Sequence, residues 1–114
     1  MAHAEEVNLI EAIDNYQKSI ALSDIYPQTH YNLARSYIAL GENEKSLTEL
    51  ETAISMQPKF FIAYPLIIEV LLEQKQFDAA SKYLGIFKEE YPNHSLTEQL
   101  TLLLEKTKTL DTTE

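Results

Sequence analysis

The chain has 114 residues, 45% of them hydrophobic, enough for one domain with a modest core. Its 18 acidic side chains outnumber 9 basic ones that are scattered along it, a net charge of -9, so phosphate backbones and anionic membrane surfaces are repelled and no nucleic-acid partner is expected. The absence of cysteine removes disulfide frameworks, thiolate metal sites and cysteine nucleophiles, and leaves the redox compartment undetermined.

Six helices are predicted, with ends placed to within ~2 to 4 residues. The first, over 3–23, carries Val7, Leu9, Ile10, Ile13 and Tyr16. That is more apolar surface than a helix with one neighbour can cover, so self-association through residues 3–20 is expected, with an isologous homodimer as the simplest closed form. Met1-Ala2-His3 has neither the basic nor the apolar region of a signal peptide. Pro27 suits the first turn of a second helix, over 28–40. Gly41 can end that helix in the left-handed conformation, and Asn43 can cap the third, over 43–56. Gln57-Pro58 stops the third helix because the residue before proline is pushed out of helical geometry. The fourth helix, over 61–74, contains Pro65, which removes a backbone donor and is expected to bend that turn. Tyr91-Pro92 ends the fifth, over 77–90. Ser95-Leu96-Thr97-Glu98 reads as a capping box opening the last helix, over 95–109. Leu96, Leu100, Leu103 and Leu104 form the apolar side of that helix. No apolar run approaches the ~20 residues that span a bilayer, so no membrane insertion is expected, and a soluble, cytoplasmic setting is.

Pro58 and Pro92 stand 34 residues apart, and the segments that they close can be laid over each other. One reads Leu33-Ala34-x-x-Tyr37, Gly41, Ser46-x-x-x-Leu50, Ala53, Pro58; the other reads Ile67-Ile68-x-x-Leu71, Ala80-x-x-x-Leu84, Phe87, Pro92. Two helices approach closely only where one offers a small side chain and the other fills the space with a large one. Ala34, Ser46, Ala53 and Ala80 are the small members here. In this pattern the chain resembles the tetratricopeptide repeat family. The resemblance implies an all-α, right-handed α-solenoid of antiparallel helix pairs, organised as one domain over 1–114. Its parts are a half-repeat over 1–26, repeats over 27–60 and 61–94, a capping helix over 95–110 and a frayed tail over 111–114. Several residues depart from the family pattern. His30 and Tyr64 stand at its first aromatic, Ile68 and Phe87 replace small residues, and Lys75 replaces the turn glycine that Gly41 supplies earlier.

His3, His30 and His94 share no metal-ligand spacing, no glycine-rich phosphate loop is present, and no activated nucleophile stands out. No metal, cofactor or catalytic residue is therefore predicted. Glu42, Glu44, Glu49 and Glu51 read as solvated helix faces, and Asn93-His94-Ser95 matches a glycosylation sequon of a kind common by chance. The resemblance implies that the first helices of successive repeats line a concave groove. Its residues here are Gln28, Tyr31, Asn32, Arg35, Ile38 and Ala39, followed by Ile62, Pro65, Leu66, Glu69, Leu72 and Glu73. The alternative for Leu66 and Leu72 is packing against the last helix. Some members of the family clamp the terminal carboxylate of a heat-shock chaperone with Lys and Asn on three successive first helices. Only Asn32 matches that pattern, and Arg35 is the sole cation of the groove, so a multi-point anion clamp cannot be assembled. The expected function is binding a peptide or helix of another protein in the groove. A non-catalytic segment that recruits substrate for a larger enzyme and a self-assembly element are the alternatives.

Overall fold

A computed structural model describes residues 9–15, 17 and 26–112. Among the described residues the regular structure is helical: α1 over 9–15, α2 Pro27–Ala39, α3 Asn43–Met56, α4 Ala63–Glu73, α5 Phe77–Glu90 and α6 Ser95–Thr112. They fall into two units, divided between Phe60 and Phe61. No described helix is long and apolar enough to cross a membrane.

In unit 1, Pro27 opens α2 after the extended Tyr26, where its missing donor costs nothing. The helix ends at Gly41, whose φ of +80° a side chain would strain. There the N–H of Gly41 donates to the Ile38 carbonyl and that of Glu42 to the Tyr37 carbonyl, both at 2.9 Å, which satisfies two orphan acceptors of α2. Because this turn consumes so few residues, α3 starts directly after Glu42. Glu42 is therefore the N-cap, and Asn43 is the first helical residue rather than the expected cap. Ala34, Ser46 and Ala53 are fully buried, so the predicted small positions do admit close approach of α2 and α3. Leu33, Tyr37 and Leu50 fill the space around them. Gln57, extended ahead of Pro58, ends α3.

In unit 2, α4 begins at Ala63 rather than at 61. Pro65 then falls in the first turn, where the N–H groups have no intrahelical acceptor, and the reason to expect a bend disappears. The turn after α4 repeats that of unit 1. Lys75 donates to the Leu72 carbonyl at 3.0 Å and Gln76 to that of Leu71 at 2.9 Å, with Lys75 itself at φ +60°.

The last helix packs on both α4 and α5. Its start is not the expected capping box. His94 takes the cap position, its ring Nδ1 accepting the N–H of Leu96 at 3.0 Å and its carbonyl accepting the N–H of Thr97 at 3.0 Å. Its buried side is the expected leucine row only in part. Leu96 is half-buried and Leu103 is 38% exposed, while Thr97, 2% exposed, joins the buried side and donates its hydroxyl to the Tyr91 carbonyl at 2.6 Å. Leu100 and Leu104 complete the buried side. The helix runs through Thr112, past the expected end and into the predicted tail, where Lys75 holds Asp111 at 3.1 Å. Residues 113 and 114 lie outside the described residues.

Candidate functional site

The predicted groove residues lie on two helices, one in each unit, and each surface has its own chemistry. On α2, the exposed Gln28 donates through Nε2 to Oδ1 of Asn32 at 3.0 Å, and the Asn32 carbonyl accepts from the Ser36 hydroxyl at 3.3 Å. Half-buried Tyr31 stands edge-on to Phe60, with ring centres 5.9 Å apart, and the Arg35 guanidinium lies 6.0 Å from the centre of the Tyr31 ring. Leu9, Asn32, Arg35, Ser36 and Ala39 border a hollow of about 260 Å³. Ile38 is half-buried. This surface can offer amide and hydroxyl groups and one cation already engaged with a ring.

On α4, Ile62 at its N-cap is 53% exposed, Leu66 is half-buried, and Glu69 and Glu73 are exposed. Leu72 is 3% exposed and has no surface to offer a partner, which corrects its place in the expected groove. It follows Ile68 by one turn and shares the buried face of that residue.

A concavity of unit 2, about 500 Å³, lies at the start of α4. Phe61, Ile62 and Pro65 form one side, Phe87 and Tyr91 at the end of α5 form another, and His94 and Leu96 close it. Its rings are packed against one another: Phe61 and Tyr91 lie edge-to-face at 5.5 Å, as do Tyr91 and His94 at 6.0 Å, while Phe87 and Tyr91 are tilted at 5.1 Å. Below them Tyr64 is 1% exposed, and burial pushes its phenol above the usual value. Sequence reasoning named Ile62 and Pro65 but missed Phe61, Phe87, Tyr91 and His94. The signal available was the large Phe87 at a position where the repeat pattern asks for a small residue.

His30 is 7% exposed, and its Nδ1–H donates to Oε1 of Glu49 at 2.7 Å, tying α2 to α3. Glu49, expected on a solvated face, is thus a packing partner. Among the described residues no group of three His, Asp or Glu side chains is placed to hold a metal ion. Of the surface expected to self-associate, residues 3–8, 16 and 18–20 lie outside the described residues. Within the remainder Ile10 is 57% exposed, and Leu9 and Ile13 are half-buried.

No curated protein matches the chain. Several solved structures do. The Arabidopsis OM64 TPR domain is 15% identical at a TM-score of 0.77, over 87% of this chain and 82% of that one. The TPR2B domain of yeast Sti1, in a complex with pHsp70, is 19% identical at 0.76, over 91% and 86%. The first TPR of Spaghetti (RPAP3), bound to the HSP90 peptide SRMEEVD, is 21% identical at 0.77, over 90% and 79%. At such identities the likeness establishes the fold, an all-α architecture of the helix-pair solenoid class. Models of the tetratricopeptide repeat match residues 27–60 and 66–94, together more than half of the chain. With the repeated turn, the buried small residues and the closing prolines all in register with those matches, the chain belongs to the tetratricopeptide repeat family.

Proposed function

We propose that the chain is a protein-interaction module, without catalysis of its own, that binds a peptide or helix of another protein, with the exposed residues of α2 and those of α4 each as candidate contacts. The observation that carries this reading is Ile62, a large aliphatic side chain 53% exposed on the rim of an aromatic hollow of about 500 Å³. Concavities of this size, apolar with a few polar groups at the edge, are the usual form of a binding site. Two structural neighbours in complex with chaperone-derived ligands support the reading by analogy of fold.

The chemistry of the ligand is different here. Gln28, Tyr31, Asn32, Arg35 and Ile38 on α2 and Ile62, Leu66, Glu69 and Glu73 around α4 contain one cation, Arg35, and it already lies over Tyr31. An acidic peptide such as SRMEEVD would find few partners, so apolar contacts carry the affinity. The test is to capture a partner from a lysate with the purified chain, identify it, and titrate it against Ile62→Ser with Leu66→Ser. Loss of affinity by about tenfold or more, with the helical spectrum unchanged and little dependence on salt, is the expected result. Full binding by the folded double variant would move the site off α4.

A further inference from the structure

Laid over each other at the 34-residue register, the two units place Pro65 where unit 1 has Tyr31, Glu69 where it has Arg35, and His94 where it has Phe60. In unit 1 the Tyr31 ring stands edge-on to Phe60 and carries the Arg35 guanidinium 6.0 Å from its centre. Unit 2 lacks both members of that pair. Pro65 puts no aromatic ring into the space beside it, and that space is the hollow. The rings have moved to the facing wall, since Ala53 and Gln57 of unit 1 correspond to Phe87 and Tyr91.

The charge is reversed as well. Glu69 is exposed, one helical turn or about 6 Å along the axis from Pro65, and it forms no ion pair among the described residues. Glu90, also exposed and without an ion pair among the described residues, directly precedes Tyr91 in the last turn of α5, a turn that also holds Glu89 and the cation Lys88. A cavity lined by aromatic side chains, with an exposed carboxylate one turn along α4 from Pro65 on its wall, is complementary to a ring accompanied by a cation.

We propose that the hollow of unit 2 receives an aromatic side chain from a partner segment, and that an arginine of the same segment lies against Glu69. The partner thereby supplies the ring-and-cation pair that unit 1 makes from its own Tyr31 and Arg35. This rests on reading the chain as a peptide-binding module and names the ligand class for one of its two surfaces. In an extended segment a ring and a guanidinium two residues apart are separated by about 6 to 7 Å, which matches the distance from Pro65 to Glu69.

The probe is a short fluorescent peptide with phenylalanine two residues from arginine, compared with one in which glutamate replaces the arginine and one in which alanine replaces the phenylalanine. Binding is measured by titration, and its place by amide chemical shifts. The expected result is that the arginine peptide shifts Tyr91 and Leu96, the glutamate peptide binds about three- to tenfold more weakly, and the alanine peptide loses about tenfold or more. Salt should narrow the gap between the charged peptides. Glu69→Lys, an exposed change that leaves the packing alone, should reverse their order, and Pro65→Tyr should block both by occupying the hollow. Equal binding of the two charged peptides, shifts confined to α2, or no binding at about 1 mM would each overturn the proposal. The module reading falls separately, on retention of its own partner by Ile62→Ser with Leu66→Ser.

Discussion

The two units solve one packing problem with different chemistry. Where unit 1 joins its helices through the buried hydrogen bond of His30 to Glu49, unit 2 has Tyr64 and Tyr83 at the same register positions, edge-to-face with ring centres 5.9 Å apart. Where unit 1 reverses direction through Gly41 at φ +80°, unit 2 does so through Lys75 at φ +60°, with the corresponding pair of backbone hydrogen bonds. The repeat therefore conserves a contact and a turn geometry rather than residue types. A side chain ill suited to the backbone is tolerated where the rest of the unit holds the turn. Lys75 has a compensation that glycine could not provide, its ion pair with Asp111 of α6.

Exchanging residues between the units breaks or sharpens this comparison. The largest effect is expected at the pair Ala53 and Phe87. Phe87→Ala removes a ring that is 4% exposed and should cost about 3 to 5 kcal/mol. Ala53→Phe, which forces the residue of unit 2 into a fully buried methyl site, should cost about 1 to 3 kcal/mol. Urea denaturation measures both, and an unchanged midpoint for Ala53→Phe would show that the two positions are not equivalent.

A smaller loss is expected at the interhelix pair of unit 1. Glu49→Ala leaves the buried His30 donor without its acceptor, at about 1 to 3 kcal/mol. His30→Tyr together with Glu49→Tyr rebuilds the ring pair of unit 2 and should recover most of that loss. A thermodynamic cycle over the single and double variants reads the coupling directly, and additive effects would contradict the equivalence of the pairs.

The turns should respond least. Gly41→Ala should destabilise by about 1 to 2 kcal/mol, although there is open space for the new methyl group, because the strain lies in the backbone. Lys75→Gly relieves similar strain but loses an exposed ion pair worth about 0 to 1 kcal/mol, so its net gain is small. In an Asp111→Asn background the gain should be larger. A thermal melt in which Lys75→Gly is destabilising there would show that Lys75 is held by something other than that pair.

Local chemistry made much of the architecture legible. Pro58, Pro92 and Gly41 end helices by restricting or freeing their own dihedral angles, effects that act within one turn and need no tertiary context. The small residues Ala34, Ser46, Ala53 and Ala80 were readable because their spacing repeats, and all four are fully buried. The site was legible only in part. Ile62 and Pro65 were identifiable from their place on a first helix, whereas Phe61, Phe87, Tyr91 and His94 come from two helix ends and a turn that only folding brings together.

The sequence by itself determined helices α2 to α6, the C-terminal ends of α2, α3 and α5, and the repeat, because those follow from short-range sterics and from a periodic contrast between small and large side chains. Tertiary structure decided which faces of α4 and α6 are buried. In α4 the residues Leu66, Ile67, Ile68, Val70, Leu71 and Leu72 are apolar nearly all round, so Glu69 and Glu73 mark only a narrow outer strip, and packing assigns Leu72 to the interior while leaving Leu66 half-exposed. In α6 Thr97 lies inward, its hydroxyl bonded to the Tyr91 carbonyl, while Leu103 is left 38% exposed, and the acceptor for that hydroxyl exists only once α5 is in place.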